Sequence, residues 1–284
     1  MRRKIPRKYI LAAMLVTLLC LCCRFYGDAA NPDILVIQAI FKYSREELIY
    51  MGETATSFQA AISFRDTIWF VVLFPVLAVF PWIDEFADQW NGGNYYLVVS
   101  RKTRMRYAVD HVVRGMLSAF FIIVTGVLIY VAIVYIKFPL YRMENAEGTI
   151  AFVYGSTKIM RAANLCKAMI HTGILASVWS VLSMIVIVLL KNQFWAVSIP
   201  MLVGYSSDKL DNVYQYYLCL KYDYGVAPVR YQVIGMLFPS RHLFYDMTFS
   251  SAFGISYGVY LILLFAFLIL IVFVFVRLIK RRNV

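Results

Sequence analysis

Charge is what this sequence has least of. Only 15% of its 284 residues are Asp, Glu, Lys or Arg, while 62% are hydrophobic and the mean hydropathy is +0.69. That balance excludes an ordinary soluble domain, in which about a quarter of the residues are charged. No G-x-x-x-x-G-K-[ST] occurs, so the chain lacks a Walker loop for holding nucleotide phosphates, and no H-E-x-x-H marks a zinc protease helix. Neither a Pro- or Ser-rich linker nor an internal repeat divides the chain, which reads as one domain over residues 1–284. Five cysteines are too few and too unevenly placed for a framework. Cys20, Cys22 and Cys23 share one apolar run, and Cys166 and Cys219 stand alone. Their spacing fits no zinc site, so they read as small apolar side chains; a Cys166–Cys219 bridge is open but unsupported.

What fills the chain instead is hydrophobic run. Six stretches lie between charged flanks, at about 9–23, 67–83, 115–136, 168–190, 192–207 and 254–276. A membrane span takes about 20 apolar residues. The third, fourth and sixth qualify easily, the second is at the limit, and the first and fifth are short. The expected fold class is therefore all-α, a polytopic membrane protein with six transmembrane helices. The first run, preceded by MRRKIPRK, also has the outline of a secretory signal. No small-x-small cleavage site follows Cys23, so retention as a span is expected.

Net charge is +12, and its distribution gives the orientation. With a cytoplasmic N-terminus, the inner segments hold 15 basic and four acidic residues, and the longer outer loops hold 13 basic and 12 acidic. Lys and Arg concentrated on short segments of one side indicate the cytoplasm, so both termini are expected inside a multi-pass cell-membrane protein. The excess sits at membrane edges and contacts lipid; a nucleic-acid partner is not expected.

Within the spans His171 is the only ionisable group besides tyrosines and cysteines. Ion-coupled carriers keep carboxylates or bases at membrane depth to bind the ion. Ser177, Ser180 and Ser183 lie three apart in the fourth span and form a helix-packing face, which Thr125 and Gly126 of the third can join. Among the outer loops, 24–66 contains the amphipathic piece ILVIQAIFKYSREELIYM, and 208–250 is crowded with tyrosine and phenylalanine at a density that suits the headgroup level.

The most informative polar stretch is DEFADQWNGGNYYLVVSRKTRMRYAVDHVVR, residues 84–114. Phe86 and Trp90 share a helix face, with Asp84, Glu85 and Asp88 in the first turns, and Gly92 ends the helix. Ser100 is a candidate N-cap for a second, basic helix carrying Arg101, Lys102, Arg104, Arg106 and Arg114. Anionic lipid accounts for the basic half. An acidic helix, a glycine break and an exposed Trp90 suit a docking surface for another protein.

These residues, with the prolines of the preceding span, resemble the first intracellular loop of bacterial ABC-transporter permeases of the second exporter class. Asp88, Gly92, Arg101, Arg104 and Tyr107 occupy the family's positions; Gln89 stands where Glu is common, and His111 near where Lys is. SVWSVLSMIVIVLLKNQFWAVSIPMLVGY is similar to the family's long helix, tight Asn-containing turn and Pro-bearing return. The resemblance implies a non-enzymatic permease subunit that exports a lipid-like, peptide or drug-like substrate. It implies a coupling helix at Asp84, Glu85, Phe86, Asp88, Trp90 and Gly92, with Arg101 and Arg104, seated on a separate ATP-binding cassette subunit. It also implies a second permease subunit, in a homo- or heterodimer, and no cofactor of the chain's own, since the partner binds ATP. Two other classes remain open: a membrane enzyme using Asp84, Glu85 or Asp88, and a non-transporting sensor or assembly protein.

The charge asymmetry is directly testable. With the five native cysteines replaced, Lys102→Cys should react with an impermeant maleimide only after cells are permeabilised. Reaction in intact cells would reverse the topology.

Overall fold

The fold was analysed in a computed structural model, which describes residues 7–25, 34–50, 56–65, 67–92, 103–139, 157–222, 234, 238–244 and 256–281. It is all-α apart from a two-residue antiparallel pair, β1 (Arg24–Phe25) with β2 (Ile34–Leu35). The helices are α1 (Arg7–Leu21), α2 (Val36–Lys42), α3 (Arg45–Tyr50), α4 (Ser57–Ile62), α5 (Ile68–Asn91), α6 (Arg104–Lys137), α7 (Lys158–Leu190), α8 (Gln193–Lys221) and α9 (Tyr257–Arg281). Short 3-10 turns cover Ser63–Arg65 and Pro239–Phe244.

Four helices, α5, α6, α7 and α9, are long and apolar enough to cross a membrane. They contain the second, third, fourth and sixth expected spans. Helix α6, with 34 residues, is about 50 Å long and exceeds a hydrocarbon core of about 30 Å. Its excess lies ahead of Gly115, where the sequence is basic. The other two runs differ from expectation. Helix α1 has only 15 residues. The fifth run does not end at Ser207, because α8 continues through Asp208, Lys209 and Asp211 to Lys221. From Tyr205 to Lys221 there is no glycine or proline, and the Asp208–Asn212, Asp211–Gln215 and Tyr217–Lys221 pairs hydrogen-bond at i,i+4. The first part of the expected 208–250 loop is thus helix.

A second correction concerns the acidic segment. Helix α5 runs unbroken from Ile68 to Asn91, through Pro75 and Pro81. Asp84, Glu85 and Asp88 therefore lie in its last turns, where the macrodipole disfavours anions, and not in the first turns of a separate helix. Gly92 does end the helix: its N–H reaches the Asp88 carbonyl at 2.9 Å. A Cβ there would stand 2.6 Å from that same oxygen. Ser100 lies outside the described residues, and α6 is capped by Thr103, whose hydroxyl accepts the Arg106 N–H at 3.3 Å. The amphipathic piece forms α2 and α3, parted by Tyr43 and Ser44. Ser44 and Glu47 exchange backbone-to-side-chain bonds, a capping box. The Ser44 N–H holds the Glu47 carboxyl below its ordinary range.

The chain forms two compact units, Met1–Phe70 with Phe121–Gly173, and Val71–Phe120 with Ile174–Val284. The divisions fall within α5, α6 and α7, and no linker marks them.

In the first unit α1 packs on the later half of α6. Gly126 makes this possible, and the Thr17 hydroxyl donates to the Gly126 carbonyl at 2.9 Å and to the Ala13 carbonyl at 3.0 Å. Thr125, expected on this face, is exposed. The Cys23 thiol donates to the Phe64 carbonyl at 2.6 Å, and the Cys23 carbonyl accepts from Val36 N–H at 2.9 Å. Tyr130 donates to the Ala60 carbonyl. All five cysteines are free thiols. In the second unit Ser177 donates to the Met116 carbonyl at 3.0 Å, joining α7 to α6.

Adding a methyl at Gly126 would place it 2.6 Å from the Val16 Cβ and 2.7 Å from the Ala13 carbonyl oxygen. Gly126→Ala is expected to destabilise the protein in detergent by about 1–3 kcal/mol. Gly258→Ala, whose Cβ would meet nothing within 4 Å, should leave the thermal midpoint unchanged or raise it slightly.

Candidate functional site

Polar chemistry in the second unit gathers at two levels. At the first, α5 ends, α6 begins, α7 turns into α8, and α9 ends. Asn91 donates its amide to the Lys191 carbonyl at 2.9 Å, tying α5 to the α7–α8 turn. That turn is tight because Lys191 takes a φ of 55°, and Asn192 caps α8 through the Phe194 N–H at 2.8 Å. Arg104 donates to the Lys280 carbonyl at 3.1 Å and so fastens the start of α6 to the end of α9. Phe86 lies among these helices, with ring centroids 5.2 Å from His111, 6.0 Å from Phe275 and 6.3 Å from Trp90. Tyr107 meets His111 at 4.4 Å between centroids, the rings tilted by 54°.

The predicted docking residues divide accordingly. Phe86 and Trp90 are buried, at 1% and 2% exposure, so Trp90 is a core residue and not the exposed anchor the sequence suggested. The reason is packing within the chain: the Phe86 ring faces His111 of α6 and Phe275 of α9, and Trp90 stacks on Phe86. Glu85, Asp88 and Gly92 are exposed, Asp84 and Arg104 half-buried, and Arg101 lies outside the described residues. Arg106, Arg114, Lys191, Arg277, Lys280 and Arg281 are exposed around them. The level therefore presents carboxylates within a basic rim.

The second level was not foreseen. The 3-10 turn Pro239–Phe244 is bonded on one side to α8 and on the other to α9. Ser207 and Ser240 pair their hydroxyls at 2.9 Å, and the Ser240 N–H donates to Ser207 Oγ at 3.0 Å. Arg241 places Nε at 2.7 Å and Nη2 at 2.6 Å from Asp211 Oδ1. His242 Nδ1 is 2.8 Å from the Tyr260 hydroxyl. Tyr214 meets Phe238 at 5.9 Å between centroids. Burial pushes the Asp211 carboxyl above its ordinary value, and the Arg241 guanidinium pulls against that shift. Sequence reading missed this cluster because Asp211 and Arg241 are 30 residues apart and Asp211 was taken for loop.

Twenty residues separate Lys191 from Asp211, and twenty separate Tyr260 from Lys280. Each interval is about 30 Å of helix, one hydrocarbon thickness. The helices between the two levels carry apolar and hydroxyl side chains. Ser177, Ser180 and Ser183 are buried there, as a packing face requires. Ser177 bonds across to α6, Ser180 bonds back to the Ser177 carbonyl at 2.8 Å, and Ser183 Oγ has no hydrogen-bond partner among the described residues.

In the first unit His171 is buried within α7. Arg65 and Arg161 are buried as well; both fall just outside the apolar runs, where the sequence reading gave them no role. The pattern G-x-S-x-G occurs once, as GISYG at 254–258. Ser256 precedes α9, accepts the Val259 N–H at 3.5 Å and gives its carbonyl to Tyr260. It acts as a helix cap, while His242 is bonded to Tyr260. Comparison with protein-family models, curated proteins and solved structures gives no match.

The Asp211–Arg241 pair yields a pH-dependent expectation. Arg241→Met would leave a half-buried carboxylate without its cation, at a cost of about 1–3 kcal/mol near neutral pH. Loss of the cation raises the carboxyl's folded pKa further, so the penalty should shrink as pH falls and Asp211 takes up a proton. Thermal midpoints of wild type and variant in detergent, compared at pH 7 and pH 4.5, should converge toward the acid end.

Proposed function

We propose that this chain is the membrane-spanning permease subunit of an ATP-driven transporter, exporting a lipid-like, peptide or drug-like substrate. It pairs with a second permease subunit and with a separate ATP-binding subunit. In this reading α1 and α8 also cross the membrane, giving six spans, with the Lys191 level in the cytoplasm and the Asp211 level outside. Helix α1 is short for a span, and thinning of the bilayer or snorkelling of flanking Lys8 and Arg24 accommodates it.

One observation supports the reading most. In the second unit the charged groups stand at the two ends, a bilayer thickness apart, and the helices between them offer no carboxylate or base to bind a coupling ion. Work done on such a pathway has to enter from an end. The end rich in Lys and Arg is the cytoplasmic one by the positive-inside rule, and it also carries exposed Glu85 and Asp88 on the last turns of α5. A partner subunit that grips those turns moves α5 directly, and α6 and α9 with it through the Phe86 cluster. The docking surface is thus the exposed carboxylates with Arg104, and Phe86 and Trp90 transmit the displacement inside the chain.

Charge reversal tests this without disturbing the core. Glu85→Lys with Asp88→Lys should not lower the stability by more than about 0.5 kcal/mol, as exposed substitutions rarely do, yet abolish copurification with the ATP-binding subunit. In proteoliposomes holding both subunits, transport should continue when proton and sodium gradients are collapsed and stop when the partner's catalytic carboxylate is neutralised. His171→Ala should leave it intact. Transport lost on collapse of a gradient, or an unaltered complex after the double reversal, would overturn the proposal.

A further inference from the structure

We propose that the first unit carries a phospholipid site on α2, which anchors this end of the molecule to the adjoining leaflet. It rests on membrane embedding alone and holds whichever way the transport question is answered.

Helix α2 is held firmly. The β1–β2 pair and the Val36 N–H to Cys23 carbonyl bond tie its start to Cys23, two residues beyond the end of α1. The Cys23 thiol is bonded in turn to the Phe64 carbonyl and lies 3.7 Å from Thr67, so α2 stands at the level where α5 begins. Val36 and Ala39 are fully buried on its inner face. Its outer face is the unusual one. Phe41 is 85% exposed, and Ile34, Ile37, Gln38, Phe41 and Lys42 line an open hollow of about 510 Å³.

The pattern recurs around this end of the unit. Ile136, at the end of α6, and Ile159, at the start of α7, are 78% and 82% exposed. They and Phe41 are the most exposed large apolar side chains among the described residues, and each adjoins a lysine: Lys42, Lys137 and Lys158. The Ser57 N–H at the start of α4 donates to the Pro139 carbonyl just beyond α6 at 2.9 Å, and the Lys137 charge helps hold the Glu47 carboxyl of α3 below its ordinary range, so these ends share one level.

An apolar ring facing water beside a cation is costly on a free surface and matched at the headgroup boundary. There the ring enters the acyl region while the ammonium meets phosphate. The hollow supplies the same pairing on one element, with isoleucines and Phe41 for an acyl chain and Lys42 for the phosphate. An anionic glycerophospholipid satisfies both, and the amphipathic chemistry favours it over a protein partner.

The test places p-benzoyl-phenylalanine at position 41 of the full chain, irradiates native membranes, and identifies the adduct by mass spectrometry. A phospholipid adduct is expected. An adduct to another polypeptide or a second copy of the chain would overturn the proposal, and so would full incorporation without any adduct. In proteoliposomes containing phosphatidylglycerol, Lys42→Glu should lower the adduct yield about fivefold, the factor that the attraction of one basic residue to an anionic surface is worth. An unchanged yield would remove Lys42 from the site.

Discussion

A polar group buried among apolar helices has no water to bond, so it must find its partner within the protein, and that constraint orders this structure. Three side chains in the apolar interior show how it is met. Thr17 gives its hydroxyl to the Gly126 carbonyl, Tyr130 to Ala60, and Ser177 to Met116. Each donates to the backbone of another helix and not to a second side chain. At Gly126 and Met116 the acceptor is a carbonyl inside a long helix, whose second lone pair is free. Such bonds lock pairs of helices in register without introducing charge. They also require close approach, which explains why a glycine stands at the first of these contacts.

The same constraint determines how far sequence reading could go. Apolar length identified α5, α6, α7 and α9, because lipid solvation dictates residue type over a whole helix. It did not locate their ends. Beyond the hydrocarbon core a helix continues as long as its backbone bonds permit, and polar residues do not stop it. Helix α8 therefore carried on past Asp208, and α5 past Asp84, where charge had been read as a boundary. Gly92 was read correctly because its role is steric: a Cβ would press on the Asp88 carbonyl, and no tertiary context relieves that clash.

Side-chain roles at those ends were less legible for a different reason. The four-residue spacing of Phe86 and Trp90 correctly placed them on one face, and charged neighbours suggested that the face was turned outward. What turns it inward is Phe275, almost 190 residues further along, together with His111 and Tyr107. The Asp211–Arg241 and His242–Tyr260 contacts were hidden in the same way. Local periodicity gives the face of a helix, and only long-range packing tells which face is covered.

One feature of the Lys191 level bears on why its charges are there at all. Asp84, Glu85 and Asp88 stand at the C-terminal end of α5, and Arg104 and Arg106 at the N-terminal end of α6. Asp88, Arg104 and Arg106 lie within a turn of their helix ends and oppose the helix macrodipole, a cost of up to about 1 kcal/mol for each charge. Lys280 and Arg281, in the last turn of α9, agree with it. Helix stability therefore did not select the first three. The topology proposed above would account for the arginines, since Lys and Arg concentrate on the cytoplasmic side whatever the direction of the helix that carries them. It does not account for the carboxylates, because acidic residues contribute little to that rule. Glu85 and Asp88 are exposed, with the core of the level filled by aromatic rings. Two solvent-facing carboxylates within a basic rim, one of them held against the local dipole, are better matched by a partner that brings cations of its own. That is the role the proposed ATP-binding subunit fills.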